Sequence, residues 1–154
     1  MELKTKIHAE DGRQDLIIVR KFDLPVSLLF MAYEKPEYVE QWMGTKVLKL
    51  ENKAHGGYRF KTTDPMGNKH NFHGTIHEFV PNQKITRTFE MAGFPAQLEF
   101  LEFTSESAKK SKLSMHILYR SVEIRDQILQ LPFAQGLNMA HNRLQNALNS
   151  LKTL

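Results

Sequence analysis

The sequence predicts an α+β domain in which a curved antiparallel sheet wraps around one long C-terminal helix, leaving an apolar cavity between them. Three observations lead there. From Lys46 to Tyr119 the chain is a succession of strand-like runs separated by turn residues. From Phe133 onward, apolar residues recur every three or four positions, at Leu137, Ala140, Leu144, Ala147 or Leu148, and Leu151, which puts one apolar stripe on a helix of about five turns. An amphipathic helix and a broad sheet must cover each other's apolar faces, and a helix rarely fills a strongly curved sheet. The length of 154 residues, with 41% apolar and 25% charged residues, suits one domain spanning 1–154 around one core.

Asp15 to Phe22 is rich in β-branched and apolar side chains and reads as the first strand. Asp23 and Pro25 then open a short helix reaching about Ala32, and Pro36 opens another through Trp42, ended by Gly44. Together these two helices plug one end of the groove. Strands follow at Lys46 to Leu50, Tyr58 to Thr62, Asn71 to Phe79, Ile85 to Glu90, Gln97 to Phe103 and Leu113 to Tyr119. The breaks between them fall at His55-Gly56-Gly57, Asp64-Pro65-Met66-Gly67-Asn68, Pro81-Asn82 and Ala92-Gly93-Phe94-Pro95, whose prolines, glycines and asparagines suit turns. Short connections of this kind favour an antiparallel meander. Pro132 separates a shorter helix, Glu123 to Gln130, from the final one, whose Asn138, Asn142, Arg143, Gln145, Asn146 and Asn149 form the polar remainder.

Several function classes are disfavoured. With no cysteine, disulfides, thiolate catalysis and cysteine-ligated metals are excluded. The N-terminal Met1-Glu2-Leu3-Lys4-Thr5-Lys6 lacks the apolar core of a secretory signal, no run is long and apolar enough to span a membrane, and a cytoplasmic location with no membrane partner is expected. The net charge of +4 is spread along the chain; its densest cluster, Lys109-Lys110-Ser111-Lys112, reads as a solvated hairpin loop, so no nucleic-acid partner is expected. His73 and His77 would share a strand face yet lie roughly 13 Å apart, and His70 has the opposite parity, so no metal is expected there. Proline at position 81 rules out a helical HExxH site, the serines have no nucleophile-elbow context, and Gly56-Gly57 opens no helix, so neither catalytic residues nor a cofactor are assigned.

Strand parity supplies the cavity candidates. Leu113, Met115, Ile117 and Tyr119 share one face of the last strand, and Phe72, Gly74 and Ile76 share one face of another. Ile85, Arg87 and Phe89 share a parity, as do Leu98, Phe100 and Glu102. Facing inward, Arg87 and Glu102 would be polar groups in an apolar interior, where each needs a partner or fixes the pose of a ligand. Strand twist would instead carry both to exposed sheet ends. With the aromatics and methionines Met31, Trp42, Tyr58, Phe60 and Met139, and with Leu137 of the final helix, these positions complete the candidate lining.

Three stretches carry a family resemblance: Phe22-Asp23-Leu24-Pro25-Val26 leading to Tyr38-Val39-Glu40-Gln41-Trp42; Gly56-Gly57-Tyr58-Arg59-Phe60 with Phe72 to Pro81 and Ile85 to Phe89; and Arg125-Asp126, Gly136 and Asn142 to Leu148. In this order they resemble the START-like, helix-grip (SRPBCC) superfamily, in the branch named after the activator of the ninety-kilodalton heat-shock protein's ATPase. The resemblance covers nearly the whole chain and implies the helix-grip fold. Where that pattern often has an aromatic after the glycine of the last helix, this chain has Leu137. The superfamily's roles range from ligand carriers to cyclases and chaperone regulators, so a shared fold selects none of them. Binding a small apolar or amphipathic ligand is the leading expectation. A cyclase- or hydrolase-like enzyme using the same cavity, with Glu102 and Tyr119 or a histidine as its acid/base pair, and a chaperone-associated interaction module are the alternatives. A homodimer is compatible with exposed sheet edges.

Overall fold

Alternation of apolar and polar residues between turns builds most of the chain into strands. A computed structural model describes residues 3–153. Residues 1, 2 and 154, and with them the two ends of the expected 1–154 domain and the first residues of the N-terminal stretch, lie outside the described residues. The strands are β1 (Lys6–His8), β2 (Asp15–Phe22), β3 (Lys46–Leu50), β4 (Gly57–Thr63), β5 (Lys69–Val80), β6 (Lys84–Met91), β7 (Phe94–Ser107) and β8 (Lys110–Leu118). Helices α1 (Val26–Glu34) and α2 (Pro36–Met43) follow β2, and α3 (Val122–Gln130) and α4 (Phe133–Asn149) close the chain. All strand pairs are antiparallel, in the order β1-β2-β8-β7-β6-β5-β4-β3. This is the helix-grip architecture, with two short helices after the first long strand and a long C-terminal helix.

The local reasons are visible in single residues. Pro36 starts α2, and Gly44 ends it in a left-handed conformation at φ +62° that glycine adopts without a Cβ clash. Arg143 of α4 donates from Nε to the Trp42 carbonyl at 3.0 Å, taking up an acceptor that the end of α2 leaves without an intrahelical partner. Ser121 caps α3 by accepting from the Ile124 amide at 3.2 Å. Pro132 cannot continue α3 and stands at the N-cap of α4.

The core lies between the sheet and the helices. Leu144 and Leu148 of α4 are fully buried, so truncating either to alanine would cost about 2–5 kcal/mol. At one end of the concave face α1 seats Phe30 edge-on against Phe79 and Phe103, with ring centroids 5.3 and 4.9 Å away. That end is filled. At the other end a space remains between the sheet and α2, α3 and α4.

Several boundaries differ from the sequence reading. Strand β1 pairs with β2 although Lys6–His8 offers one apolar residue, too few to show a period. Phe94 and Pro95 belong to β7, and the turn before it narrows to Ala92 and Gly93, with Gly93 at φ +89°. Within the lysine cluster, Lys110, Ser111 and Lys112 are in β8, and Ser111 is fully buried with its hydroxyl donating to the Leu24 carbonyl at 2.7 Å.

Candidate functional site

Sheet register places the central polar pair. Leu16, Ile117, Glu99, Arg87 and Ile76 stand directly opposite one another on β2, β8, β7, β6 and β5. A row of this kind projects side chains on one face, and opposite Cβ atoms lie about 5 Å apart. Arg87 and Glu99 therefore emerge together on the concave face. Arg87 Nε donates to Glu99 Oε1 at 3.0 Å, and Gln97 Nε2 donates to Glu99 Oε2 at 2.8 Å. The side chains are 10% and 6% exposed, so the ion pair is buried, a setting that is costly unless both charges are met.

Aromatic rings complete the pair's surroundings. The Arg87 guanidinium carbon lies 5.1 Å from the Tyr58 ring centroid and 5.9 Å from that of Tyr33, within cation–π range. Tyr58 is held in turn by its hydroxyl, which donates to the Thr88 carbonyl, and by the missing side chain of Gly74. A Cβ on Gly74 would stand 2.0 Å from the Thr88 oxygen and 2.8 Å from the Tyr58 ring. Burial works against the Arg87 charge, but the Glu99 carboxylate in direct contact favours the cation, and Arg87 stays protonated. Burial also pushes the phenols of Tyr33, Tyr58 and Tyr119 up, with Glu99 acting in the same direction, so all three stay neutral hydrogen-bonding groups.

Beside this pair lies a cavity of about 600 Å³. Sheet residues Ile18, Phe72, Phe89, Met91, Met115 and Ile117 form one wall. Trp42 and Met43 of α2, Ile128 of α3, and Phe133, Leu137 and Ala140 of α4 form the other. Arg87, Gln97, Glu99, Tyr33 and Tyr119 supply the polar atoms. Phe94 and Leu131 line the cavity yet are 36% and 51% exposed, so it meets the surface between the β6–β7 turn and the α3–α4 junction.

Of the residues singled out from sequence, Trp42, Phe72, Arg87, Phe89, Met115, Ile117, Tyr119 and Leu137 stand on the cavity wall. Tyr58, Phe60 and Ile76 are buried in the core, and Met31 is half-buried on α1; none of the four is on the wall. Three placements need correction. Phe100 and Glu102 lie on the opposite face, because β7 alternates in phase with buried Glu99, Leu101 and Phe103; the Phe100 ring sits 5.9 Å from that of His116, outside the core. The pairing of Glu102 with Tyr119 as acid and base is thereby removed. Met139 is 52% exposed, since it is about 200° around the helix from Leu137. Sequence reasoning missed Glu99 and Gln97, the true partners on β7. The signal was available: an inward Arg87 requires a carboxylate, and the neighbouring strand offers one at the other parity.

A second polar cluster joins α4 to β2. Buried Arg20 donates from Nη1 to Asn138 Oδ1 at 3.1 Å and from Nη2 to Asn142 Oδ1 at 2.9 Å, so these two asparagines bind the sheet. His141, fully buried, has Nδ1 2.6 Å from Thr5 Oγ1 and its ring edge-on to Phe22, while Nε2 has no partner among the described residues. Burial, with Arg20 adding to it, pulls the His141 pKa down to about 3. Elsewhere, His70 and His73 lie against Asp64 and Glu90, at 2.9 and 3.2 Å. Among the described residues no group of three His, Cys, Asp or Glu is placed to hold a metal ion, and no helix is long and apolar enough to cross a membrane.

Comparison with known proteins places this geometry among relatives. The family model described as activator of Hsp90 ATPase homolog 1-like protein matches residues 23–149. No curated protein matches the chain. Among solved structures, a protein from Rhodobacter sphaeroides superposes with a TM-score of 0.86 at 19% identity, covering 96% of this chain and 99% of its own. One from Mycobacterium smegmatis gives 0.84 at 19% identity over 96% and 97%. A solution structure from Arthrobacter aurescens gives 0.85 at 13% identity over 94% and 91%. At these identities the likeness is one of fold.

Proposed function

The chain belongs to the activator of Hsp90 ATPase homolog 1-like family, and from that premise we propose that it binds a small, largely apolar molecule in the cavity on its concave face. The observation that carries this reading is the meeting of an approximately 600 Å³ space with a buried, fully oriented ion pair in its wall. Protein interiors are normally close-packed, and small-molecule sites are apolar clefts of about 300–1,000 Å³ with a few placed polar groups. Trp42, Phe72, Phe89, Met115 and Phe133 supply the apolar contact, and methionine adapts its shape to a guest. Acid–base catalysis is less well supported. Among the described residues the wall carries no histidine or lysine, and its carboxylate, Glu99, is already engaged by Arg87 and Gln97.

Trp42 is the chain's one tryptophan and lies on the cavity wall, so its emission reports occupancy directly. Titration with the uncharged fluorogenic probe N-phenyl-1-naphthylamine is expected to quench Trp42 by energy transfer and to saturate at one probe per chain. Native mass spectra of freshly purified protein are expected to show a discrete excess mass that denaturation removes. A probe signal that rises without saturation, with Trp42 unaffected and no excess mass, overturns the proposal.

A further inference from the structure

Resting on the binding reading above, we infer that the cavity selects an uncharged amphiphile, an apolar body ending in a carbonyl-type hydrogen-bond acceptor, and discriminates against the corresponding carboxylate. Charge balance in a confined space sets this preference. Among the described residues the cavity wall holds one cation, Arg87, and one anion, Glu99, in direct contact at 3.0 Å. The wall is therefore neutral before any guest arrives. A carboxylate guest would leave one negative charge in excess in a place where water is largely displaced, and an ammonium guest one positive charge; either is penalised by desolvation without a free counter-charge.

What the wall does leave open is hydrogen-bonding capacity. A guanidinium has five N–H donors, and among the described residues only the Arg87 Nε–H has a hydrogen-bond partner. Tyr119 lines the same space, and its hydroxyl has no hydrogen bond among the described residues. Each Glu99 oxygen already takes one donor, whereas four of the five Arg87 N–H groups have no acceptor among the described residues. These unmet Arg87 N–H groups suit a guest that accepts, such as an amide, ketone or ester oxygen. The aromatic and methionine wall takes the rest of the guest.

The test compares nonanamide with nonanoate, two guests of equal length differing in charge, by Trp42 emission at pH 7.5. For the unaltered protein the amide is expected to half-saturate at a concentration about tenfold lower or more than the carboxylate, the scale of one uncompensated buried charge. In Glu99→Gln the wall keeps Arg87 alone, and the order is expected to reverse. In the double variant Arg87→Gln/Glu99→Gln the wall is neutral again, and the preference for the amide is expected to return. A preference for nonanoate in the unaltered protein overturns the inference while leaving the binding reading intact, as does an unchanged order in Glu99→Gln. If neither guest, nor the naphthylamine probe, perturbs Trp42 in any of the proteins, the binding reading fails and this inference with it. Should Glu99→Gln not fold, the unaltered protein alone decides through its own order of affinities.

Discussion

At the scale of single residues, the most exposed to test is His141. Its imidazole is enclosed by α4, by Phe22 and Arg20 of β2, and by Thr5. The folded state holds its pKa near 3, while an unfolded chain restores about 6.5. Above pH 6.5 both states are neutral and no penalty exists. As pH falls from 6.5 toward 3, the unfolded state binds a proton that the folded state refuses, so stability falls with a slope approaching about 1.4 kcal/mol per pH unit. Asp15, held below the usual carboxylate range first by the Arg13 and His116 hydrogen bonds, adds its own loss as pH falls through 3.8. Urea unfolding of His141→Gln between pH 6 and 4 should show a flatter dependence than the parent; parallel curves would place the acid sensitivity elsewhere. The residue scale is also where the sequence was least legible. Arg87 could be assigned to the interior by parity, but β7 offers apolar residues on both faces, Leu98 and Phe100 on one and Leu101 and Phe103 on the other. Parity alone could not choose between Glu99 and Glu102; the β6–β7 register, set by a short turn and an irregularity between Phe89 and Met91, made the choice.

Elements were far more legible, because periodicity is a property of many residues at once. The bounds of β2 and β3 and the first residue of α4 coincide with the reading from sequence, while β1 exists only because the edge of β2 is available to pair with it. What an element tolerates depends on what it packs against, and two glycines make the point. Gly136 lies in the first turns of α4, where a Cβ would meet nothing within 4 Å. Gly136→Ala is expected to raise stability by about 0.5–1 kcal/mol through the lower backbone entropy of alanine in the unfolded chain. Gly74 lies in β5 beneath the Tyr58 ring, with the Thr88 carbonyl 2.0 Å from where a Cβ would be. Gly74→Ala is expected to cost about 1–3 kcal/mol or more, and to move Tyr58 away from Arg87. Denaturant unfolding of both variants checks the opposite signs; equal effects would mean that the Tyr58 seat carries no constraint.

The whole molecule is divided by its own curvature. One end of the concave face is closed by α1 through Phe30, Phe79 and Phe103, while the other is roofed by α2 and by the α3–α4 junction around Pro132, with the β6–β7 turn opposite. The roof bears partly on empty space, and its residues Leu131 and Gly136 are exposed, whereas Leu16 and Ile18 of β2 and Leu113 of β8 are not. Local stability follows contact density, so opening at the mouth costs less than opening the sheet. A guest that fills the cavity touches both sides of the mouth and binds the folded form alone; at one hundred times its dissociation constant it adds about 2.7 kcal/mol. Hydrogen exchange over seconds to minutes, in the presence of saturating nonanamide, is therefore expected to slow in residues 91–95 and 128–137. The centres of β2 and β8 should stay unexchanged with or without the guest over that interval. Protection confined instead to the outer face, around Phe100 and His116, would place the guest on the wrong side of the sheet and separate surface adsorption from occupancy of the cavity.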